Sequence, residues 1–463
     1  MPDLQRRAVS GFTLYDVANS AFVTTVVTAV GGPFLTALAD AAADESGRLD
    51  VLGLSPRSGS LFAYAVSFSV MLQVVALPLL GALADRPSTK RRVLVGGTWV
   101  GSLATLLLAV APGPMIGLGA FVVANVAYGS AILVYNAYLA DVAQPADRHR
   151  VSARGFAFGY AGGAFVLASS LGLLTAADSL GIERGTAVRL AIAMSALWWL
   201  VLGTVAVRRL DAARSLPWAE PETAGPSLRE EVRGTVRQLK GSLRALRALP
   251  GTARFLLSFL LFNDAIQAVV ALSAVVLTQE LFVAQGQDAD DATPFLLQLI
   301  LLIQVVAIAG AALSSRLAYR FGPKQTLLAM LGIWVLVVLY AVLALESTTQ
   351  AYVMGVVIAL VLGGSQSIAR SLFSRMVPAG RQASFFSFYE LAERGTAWVG
   401  TLVFAVVLDI TGSYRGALLS LLVLFVAGGA ILAATDTEAA VATAEQADAD
   451  ALAARNAAAG DAA

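Results

Sequence analysis

The chain has 463 residues, of which 57% are hydrophobic and only 14% are charged, and its mean hydropathy is +0.74. Soluble globular proteins carry about 25% charged residues, so this composition predicts an integral protein of a lipid bilayer. The formal net charge of +1 provides no global field that would favour nucleic acid. The chain has no cysteine and a single histidine, His149. The absence of cysteine excludes a disulfide framework, thiol catalysis and cysteine metal sites, and the single histidine disfavours a histidine metal site. We predict no cofactor.

Stretches of about 20 apolar residues can cross a bilayer as helices, and the sequence contains twelve of them. They are 11–40, 59–84, 92–111, 115–139, 154–176, 187–208, 251–284, 294–318, 325–345, 349–371, 384–411 and 414–435. A long polar break divides them into six plus six. We predict an all-α membrane protein with an N-terminal six-helix bundle in 1–208, a cytoplasmic linker in 209–250, a C-terminal six-helix bundle in 251–435 and a disordered tail in 436–463.

The positions of Lys and Arg predict the orientation, because short cytoplasmic loops hold them in excess. Alternate loops collect most of the 32 basic residues, while Arg48, Arg57, Arg184, Arg189 and Arg415 fall on the opposite side. Both termini are therefore predicted to be cytoplasmic. The first apolar run lacks a convincing cleavage site, so we read it as a retained helix. The expected protein is a multi-pass monomer of the bacterial inner membrane.

The linker has a pattern of its own. Ser227 to Glu230 has the form of a capping box, and a stripe of Leu and Val with Arg and Lys beside it follows at helical spacing. Such a helix would lie on the anionic cytoplasmic leaflet with its apolar stripe inward. A helix that binds a partner protein fits the same pattern.

Polar residues inside two apolar helices are the first candidates for a functional site. Asp16 and Asn19 share one helical face at i and i+3, and a similar group returns once as Asn263, Asp264 and Gln267. A carboxylate inside hydrocarbon costs at least about 2.5–3.5 kcal/mol, so it normally faces a bundle interior or a wet cavity. One reading is a site for a proton or a coupling cation. The other is a fixed hydrogen bond between helices.

Further polar residues extend this candidate cavity. Asn125, Tyr128 and Tyr135 lie on one face of the fourth predicted span, with Asn136 adjacent. Aromatic residues at such a depth commonly serve packing or an interfacial belt, so lining a cavity and packing are both open. Gln366 in the tenth span is a candidate hydrogen-bond donor to the cavity.

The eleventh predicted span carries Tyr389, Glu390, Glu393 and Arg394. Glu390 and Arg394 stand at i and i+4, which allows a local ion pair that cancels charge within the membrane. Alternatively, Arg394 holds a carboxylate of the solute in a bidentate contact, while Glu390 or Glu393 titrates.

The two halves repeat one sequence pattern. The stretch from Gly81 to Lys90 aligns with the stretch from Ser315 to Lys324, and Pro145 with Arg148 aligns with Pro378 and Arg381 at nearly the same separation. Two parallel sets of six helices with a binding site between them form a transporter architecture.

Several motifs resemble one known family. The loop Gly81-Ala-Leu-Ala-Asp-Arg, followed by Lys90 and Arg91, resembles the signature loop of the major facilitator superfamily. The chain is more narrowly similar to the branch that contains the fungal autophagy-related vacuolar amino-acid effluxer and its bacterial relatives. The stretches that carry this likeness are Tyr15 to Phe22, Phe156 to Gly163, Asn263 to Gln267, Gly364 to Phe373 and Phe385 to Tyr389.

The resemblance implies a secondary transporter that works by alternating access. It also implies that the loop latches the halves together on the cytoplasmic side when the protein faces outward, through Gly81, Asp85, Arg86, Lys90, Arg91, Arg320 and Lys324. A plain topology signal is the competing interpretation of these charges. The glycines of Phe156 to Gly163 indicate close packing of helices.

The implied cargo is a small polar solute, with amino acids first and with efflux and proton coupling as possible features. A sugar or lipid transporter of the same fold and a membrane sensor of a substrate remain alternatives. The sequence has no phosphate-binding glycine loop followed by Lys and Ser or Thr, which disfavours ATP-driven transport. It also has no nucleophile and base pair that would indicate an enzyme.

Overall fold

The computed structural model describes residues 2–51, 53–84, 87–143, 148–216, 249–377, 389, 398–446 and 449. Within these ranges the regular secondary structure is helical, and one loop carries two isolated β-bridges. Residues 217–248 of the predicted linker 209–250 lie outside the described residues, and so do 447–448 and 450–463 of the predicted tail; residues 437–446, predicted to be disordered, are helical. Ten described helical stretches have the length and hydropathy of a membrane span. The other two predicted spans contain the shorter apolar stretches Ser58–Val74 and Val399–Thr411.

The N-terminal half consists of α1 (Pro2–Ala21), a π-helical segment (Phe22–Val30), α2 (Gly31–Asp40), α3 (Leu61–Ala84), α4 (Pro87–Ala109), α5 (Pro114–Val142), α6 (Arg148–Ala176) and α7 (Arg184–Leu210). The C-terminal half consists of α8 (Pro250–Leu281), α9 (Ala292–Phe321), α10 (Pro323–Leu343), α11 (Thr348–Arg375), α12 (Val399–Thr411), α13 (Tyr414–Ser420) and α14 (Leu422–Ala434). The segments α1, π and α2 form one long span, and so do α13 and α14.

Local sequence explains where several helices begin. Pro114, Pro250 and Pro323 occupy the first turn of α5, α8 and α10, where a missing backbone N–H costs nothing. At the start of α11, Ser347 and Gln350 form a reciprocal capping box, which satisfies two backbone N–H groups that a helix terminus leaves open.

The first span is not uniformly α-helical. Between Phe22 and Val30 the backbone is π-helical, and the N–H of Gly31 bonds to the carbonyl of Val26, five residues earlier. Pro33 follows closely, and proline cannot bond to the carbonyl four residues before it. A Cβ on Gly31 would lie 2.3 Å from the Val26 oxygen, so glycine permits this close turn. The sequence predicted an uninterrupted helix here.

The packing places α1 and the π segment at the centre of the molecule. α1 packs along α6 and α7, and the π segment contacts α7, α8 and α9. Contacts between the halves also run from α3 to α12 and from α6 to α9. Large apolar side chains on the outer faces are exposed, among them Leu103, Val201 and Leu336, as expected for helices that meet lipid. Asn19 on α1 and Asn263 and Asp264 on α8 lie in the protein interior.

Candidate functional site

Asp16 is held by an aromatic pocket in the N-terminal half. Its Oδ2 accepts a hydrogen bond of 2.7 Å from the hydroxyl of Tyr135 on α5. The Tyr135 ring stacks on Phe12 with centroids 4.4 Å apart and on Tyr15 with centroids 5.0 Å apart. Tyr15 in turn bonds through its hydroxyl to Thr98 on α4 at 2.9 Å. The predicted polar residue thus has one specific donor and three apolar rings around it.

Glycines on α6 let that helix approach the carboxylate. A Cβ on Gly155 would lie 2.5 Å from Asp16 Oδ2, and one on Gly159 would lie 3.2 Å from the Asp16 Cβ. Gly162 and Gly163 make equally close contacts with Val17 and Thr24. The prediction that these glycines serve close helix packing is confirmed, and the helix they bring close covers Asp16.

The remaining N-terminal candidates separate into different environments. Asn19 is buried, and its Nδ2 has no hydrogen-bond partner in the described part of the chain. Asn125 donates to the Ser69 hydroxyl at 2.8 Å, which joins α5 to α3. The Tyr128 ring forms a cluster with the rings of Phe22 and Trp199, which also contact each other. Asn136 is exposed, so it does not share the pocket of its neighbour Tyr135.

Asp264 is the counterpart of Asp16 in the C-terminal half. Each is the fifteenth residue of the helix that opens its half. The side chain of Asp264 is 1% exposed, and its Oδ2 accepts a hydrogen bond of 2.7 Å from the backbone N–H of Gly400. Its Oδ1 is buried without a partner among the described residues. Asn263 is buried beside it.

Two other C-terminal candidates can be placed. Gln366 Nε2 donates to Gln267 Oε1 at 3.4 Å, so α11 and α8 share an amide pair. The Tyr389 ring is buried and stacks on Phe259 and Phe373, with centroids 4.1 and 5.0 Å apart. Glu390, Glu393 and Arg394 lie outside the described residues.

The basic residues of the proposed latch lie at the proximal end of the bundle, defined here as the end where α1 and α8 begin. Lys90 bonds to Asp141 at 2.6 Å and to the Ala137 carbonyl at 3.0 Å. Arg91 pairs with Asp211 at 2.7 Å. All of these partners belong to the N-terminal half.

The corresponding loop of the C-terminal half is similar. Lys324 donates to the carbonyls of Ala433 and Thr435, both in its own half, and Arg320 is exposed. Gly81 lies within α3, while Asp85 and Arg86 lie outside the described residues. The latch between halves therefore stays a prediction.

At the opposite, distal end, charged residues join the two halves. Asp409 at the end of α12 accepts the backbone N–H of Arg57 at 2.6 Å, and its Oδ1 lies 3.6 Å from the Arg48 guanidinium. The Arg184 guanidinium contacts the Asp291 carboxylate across the same end. We call these five residues the distal seal.

Sequence reasoning used the distal arginines only as topology markers. Their partners are far away in the chain, with Arg57 and Asp409 separated by 352 positions, so no local pattern could pair them. The one available signal for these ion pairs was that the arginines lie on the side predicted to be non-cytoplasmic. Basic residues are scarce in short loops on that side, so those present there are candidates for a specific contact.

The polar groups of the candidate site that the structure describes can donate and accept hydrogen bonds. In the part of the chain that the structure describes, no group of three or more His, Cys, Asp or Glu side chains could hold a metal. Each half supplies one carboxylate: Asp16 is half-buried and accepts from the Tyr135 hydroxyl, and Asp264 is buried and accepts from the Gly400 N–H.

Comparison with known proteins agrees with this architecture. The family model described as "Vacuole effluxer Atg22 like" matches residues 4–445. A relative named uncharacterized MFS-type transporter YxiO, from Bacillus subtilis, is 28% identical and covers 92% of this chain and 94% of its own. Autophagy-related protein 22-2 of Emericella nidulans is 24% identical, over 81% of this chain and 77% of its own.

Solved structures show the same fold at low sequence identity. The nucleoside transporter NupG superimposes with a TM-score of 0.63 at 13% identity, over 95% of this chain and 98% of that one. The inward-open xylose transporter XylE from E. coli gives a TM-score of 0.59 at 13% identity, over 94% and 96%. Because the family model spans nearly the whole sequence, the chain belongs to the Atg22-like vacuole effluxer family, and it is a multi-pass secondary transporter of the major facilitator superfamily.

Proposed function

We propose that this transporter moves an amino acid or a similar small zwitterion outward across the bacterial cell membrane, as a monomer with both termini in the cytoplasm. The observation that carries the proposal is the pair of carboxylates, half-buried Asp16 and buried Asp264, at equivalent positions of the two halves. Carboxylate and amide oxygens inside the helix bundle can accept hydrogen bonds from the ammonium group of a zwitterion. The family description supports efflux of a solute.

Proton coupling through Asp264 is the second part of the proposal. Within the described residues no cation pairs with this carboxylate, and its Oδ1 has no hydrogen-bond donor. A charge in such a place is costly, and a bound proton removes the cost. If access to Asp264 alternates between the two sides of the membrane, proton uptake on one side and release on the other couple solute movement to a proton gradient.

The distal seal supports alternating access. Asp409 and Asp291 hold the halves together at one end, whereas Lys90, Arg91 and Lys324 at the other end bond within their own halves. A transporter closed at one end exposes its central site to the opposite compartment. We therefore assign this structure to a state closed at the distal end.

Asp264→Asn tests the coupling. In proteoliposomes we expect this variant to lose uptake driven by a pH gradient and to keep counterflow exchange of labelled solute, because exchange needs no net proton movement. Asp16→Asn is the matched variant in the other half. Gradient-driven uptake that persists in Asp264→Asn would show that this carboxylate has a structural role.

A solute panel tests the substrate class separately. A ligand that binds only the folded state raises the melting temperature by mass action. At a ligand concentration of 100 times the Kd, the folded state gains about 2.7 kcal/mol of stability. We expect amino acids to raise the melting temperature of the detergent-purified protein, and sugars and lysolipids to leave it unchanged. Stabilisation by sugars alone would overturn the proposed substrate. Binding of amino acids without counterflow would indicate a sensor instead of a transporter.

A further inference from the structure

A cavity of about 170 Å³ opens between α4 and α7 near the proximal end, and its wall includes Thr98, whose hydroxyl bonds to Tyr15 beside the Asp16 pocket. Two guanidinium groups stand at its outer rim, and its inner wall is mainly apolar. The residues that line it include Arg91, Val95, Trp99, Thr204, Val207 and Arg208.

The polarity of this cavity changes with depth. Arg91 lies in the second turn of α4 from its proximal end, and Arg208 lies in the last turn of α7, so both guanidinium groups are near the membrane surface. Trp99 lies two turns deeper, about 12 Å at 1.5 Å per residue, and is 47% exposed. Beyond it, exposed Leu103 and Leu107 continue the apolar surface of α4. The cavity is thus continuous with a face that meets acyl chains.

The two arginines are in different electrostatic situations. Arg91 is paired with Asp211, which fixes its guanidinium at 2.7 Å from that carboxylate. Arg208 is exposed and, within the described ranges, has neither a carboxylate nor a hydrogen-bond partner. Asp211 therefore balances the charge of Arg91, and Arg208 leaves a positive charge at the rim.

We propose that this cavity binds the phosphate of an anionic phospholipid from the leaflet at the proximal end. Arg208 contacts the phosphate with the fork geometry that guanidinium offers to phosphate oxygens, and Arg91, oriented by Asp211, completes the rim. The first part of an acyl chain lies against Trp99. Basic pockets between helices on the cytoplasmic side are where anionic head groups bind, and the proximal end is the side predicted to be cytoplasmic. The inference does not depend on the transported solute.

Arg208→Gln and Arg209→Gln form a matched pair for the test. Both variants remove one positive charge from adjacent positions, but Arg209 donates to Ser10 and does not line the cavity. Native mass spectrometry of the detergent-purified full chain would measure binding of phosphatidylglycerol and, with the same acyl chains, phosphatidylcholine. We expect phosphatidylglycerol to bind in preference, and Arg208→Gln to weaken its binding by about fivefold, since one basic residue near an anionic surface contributes about 1 kcal/mol.

Three results would overturn the proposal. Equal losses in Arg208→Gln and Arg209→Gln would indicate general surface charge instead of this cavity. Equal binding of the two lipids would remove the role of the anionic head group. Displacement of phosphatidylglycerol by inorganic phosphate in comparable amounts would identify a site for a free anion, because a phosphate alone lacks the chain that contacts Trp99.

Discussion

Asp16 shows how a single polar residue is accommodated inside an apolar helix bundle. The chain provides one hydroxyl donor, that of Tyr135, at 2.7 Å, and it clears space for the carboxylate by placing glycine at position 155 of α6. A hydrogen bond to a charged group contributes about 1.5–3 kcal/mol. The position of Asp16 therefore depends on both the donor and the missing side chain opposite.

Gly155→Ala should displace the Asp16 carboxylate. The new Cβ would lie 2.5 Å from Asp16 Oδ2, which is too close for that oxygen to stay in place, and 3.3 Å from the Tyr135 hydroxyl, which is a tight contact. Overpacking of this kind costs about 1–3 kcal/mol. We expect the free energy of unfolding in detergent to fall by that amount and transport to fall with it.

The control for this variant lies on the same helix. At Gly172 an added Cβ would meet nothing within 4 Å. Gly172→Ala should be neutral or stabilising by up to about 1 kcal/mol, because alanine favours a helix interior more than glycine does. Equal effects of the two substitutions would show that α6 responds to helix propensity and not to contact with Asp16.

Residue chemistry was a better guide to which polar groups leave the lipid than to their hydrogen-bond partners. The cost of charge in hydrocarbon was enough to select Asp16 and Asp264, of which Asp264 is buried and Asp16 is half-buried. The bond from Tyr135 to Asp16 spans 119 positions, and helical spacing within α5 cannot specify it. The same spacing placed Asn136 next to Tyr135, yet Asn136 is exposed because adjacent helical residues point about 100° apart.

At the scale of helices, the two halves repeat a device that the sequence alone did not indicate. Arg189 near the start of α7 donates to the carbonyls of Ala109 and Ala111 at the distal end of α4, at 2.9 and 3.0 Å. In the C-terminal half, Arg415 near the start of α13 donates to the carbonyls of Val342 and Leu345 at the distal end of α10. Each arginine satisfies carbonyls that a helix terminus leaves open.

The π segment shows why local patterns failed within one element. Its hydrophobic spacing is compatible with an ordinary helix, and the sequence was read accordingly. What distinguishes it is the combination of Gly31, which can approach the Val26 carbonyl, and Pro33, which cannot bond to Ala29. The Thr28 hydroxyl also bonds five residues back, to Val23 at 2.9 Å. A glycine pair before proline inside an apolar run was the available signal.

Arg189→Met should weaken the contact between α7 and α4. Methionine keeps an apolar stem of similar length but leaves the two α4 carbonyls without their charged donor, and the guanidinium contact with the Phe34 ring at 5.0 Å is lost as well. Charged hydrogen bonds of this type contribute about 1.5–3 kcal/mol. We expect a loss of about 2 kcal/mol in the free energy of unfolding.

Two further substitutions test whether the loss in Arg189→Met comes from its hydrogen bonds. Arg415→Met should cost at least as much, because Glu280, which pairs with Arg415 at 2.7 Å, also loses its partner. Arg92→Met changes an exposed arginine of α4 and should stay within about 0.5 kcal/mol of the parent protein. A loss at Arg92 equal to that at Arg189 would mean that the effect comes from net charge.

At the scale of the whole molecule, the repeat of six helices could be predicted from the sequence, whereas the closure of the distal end could not. Aligned loops and the spacing of apolar stretches were sufficient for the two halves. The closed distal end depends on Asp409 meeting Arg48 and Arg57, and on Arg184 meeting Asp291, across the boundary between halves. Contacts between halves change during transport, so they leave no periodic pattern in the chain.

Asp409→Ala should open the distal end. The substitution removes the acceptor for the Arg57 backbone N–H and the counter-charge for Arg48.

A thiol introduced at the contact between α3 and α12 measures this opening. The chain has no cysteine, so Ser67→Cys introduces a unique thiol. The Ser67 hydroxyl bonds to the Trp398 carbonyl and so joins α3 to the start of α12. A loss of about 1–2 kcal/mol from the seal changes the ratio of open to closed molecules by about 5- to 30-fold. We expect the thiol to react with a membrane-impermeant maleimide faster by a factor in that range. Asp50→Ala, which removes a carboxylate that accepts the backbone N–H of Gly53 within its own loop, should leave the rate unchanged. If both substitutions accelerate labelling equally, the loop has loosened as a whole and Asp409 does not hold the halves together.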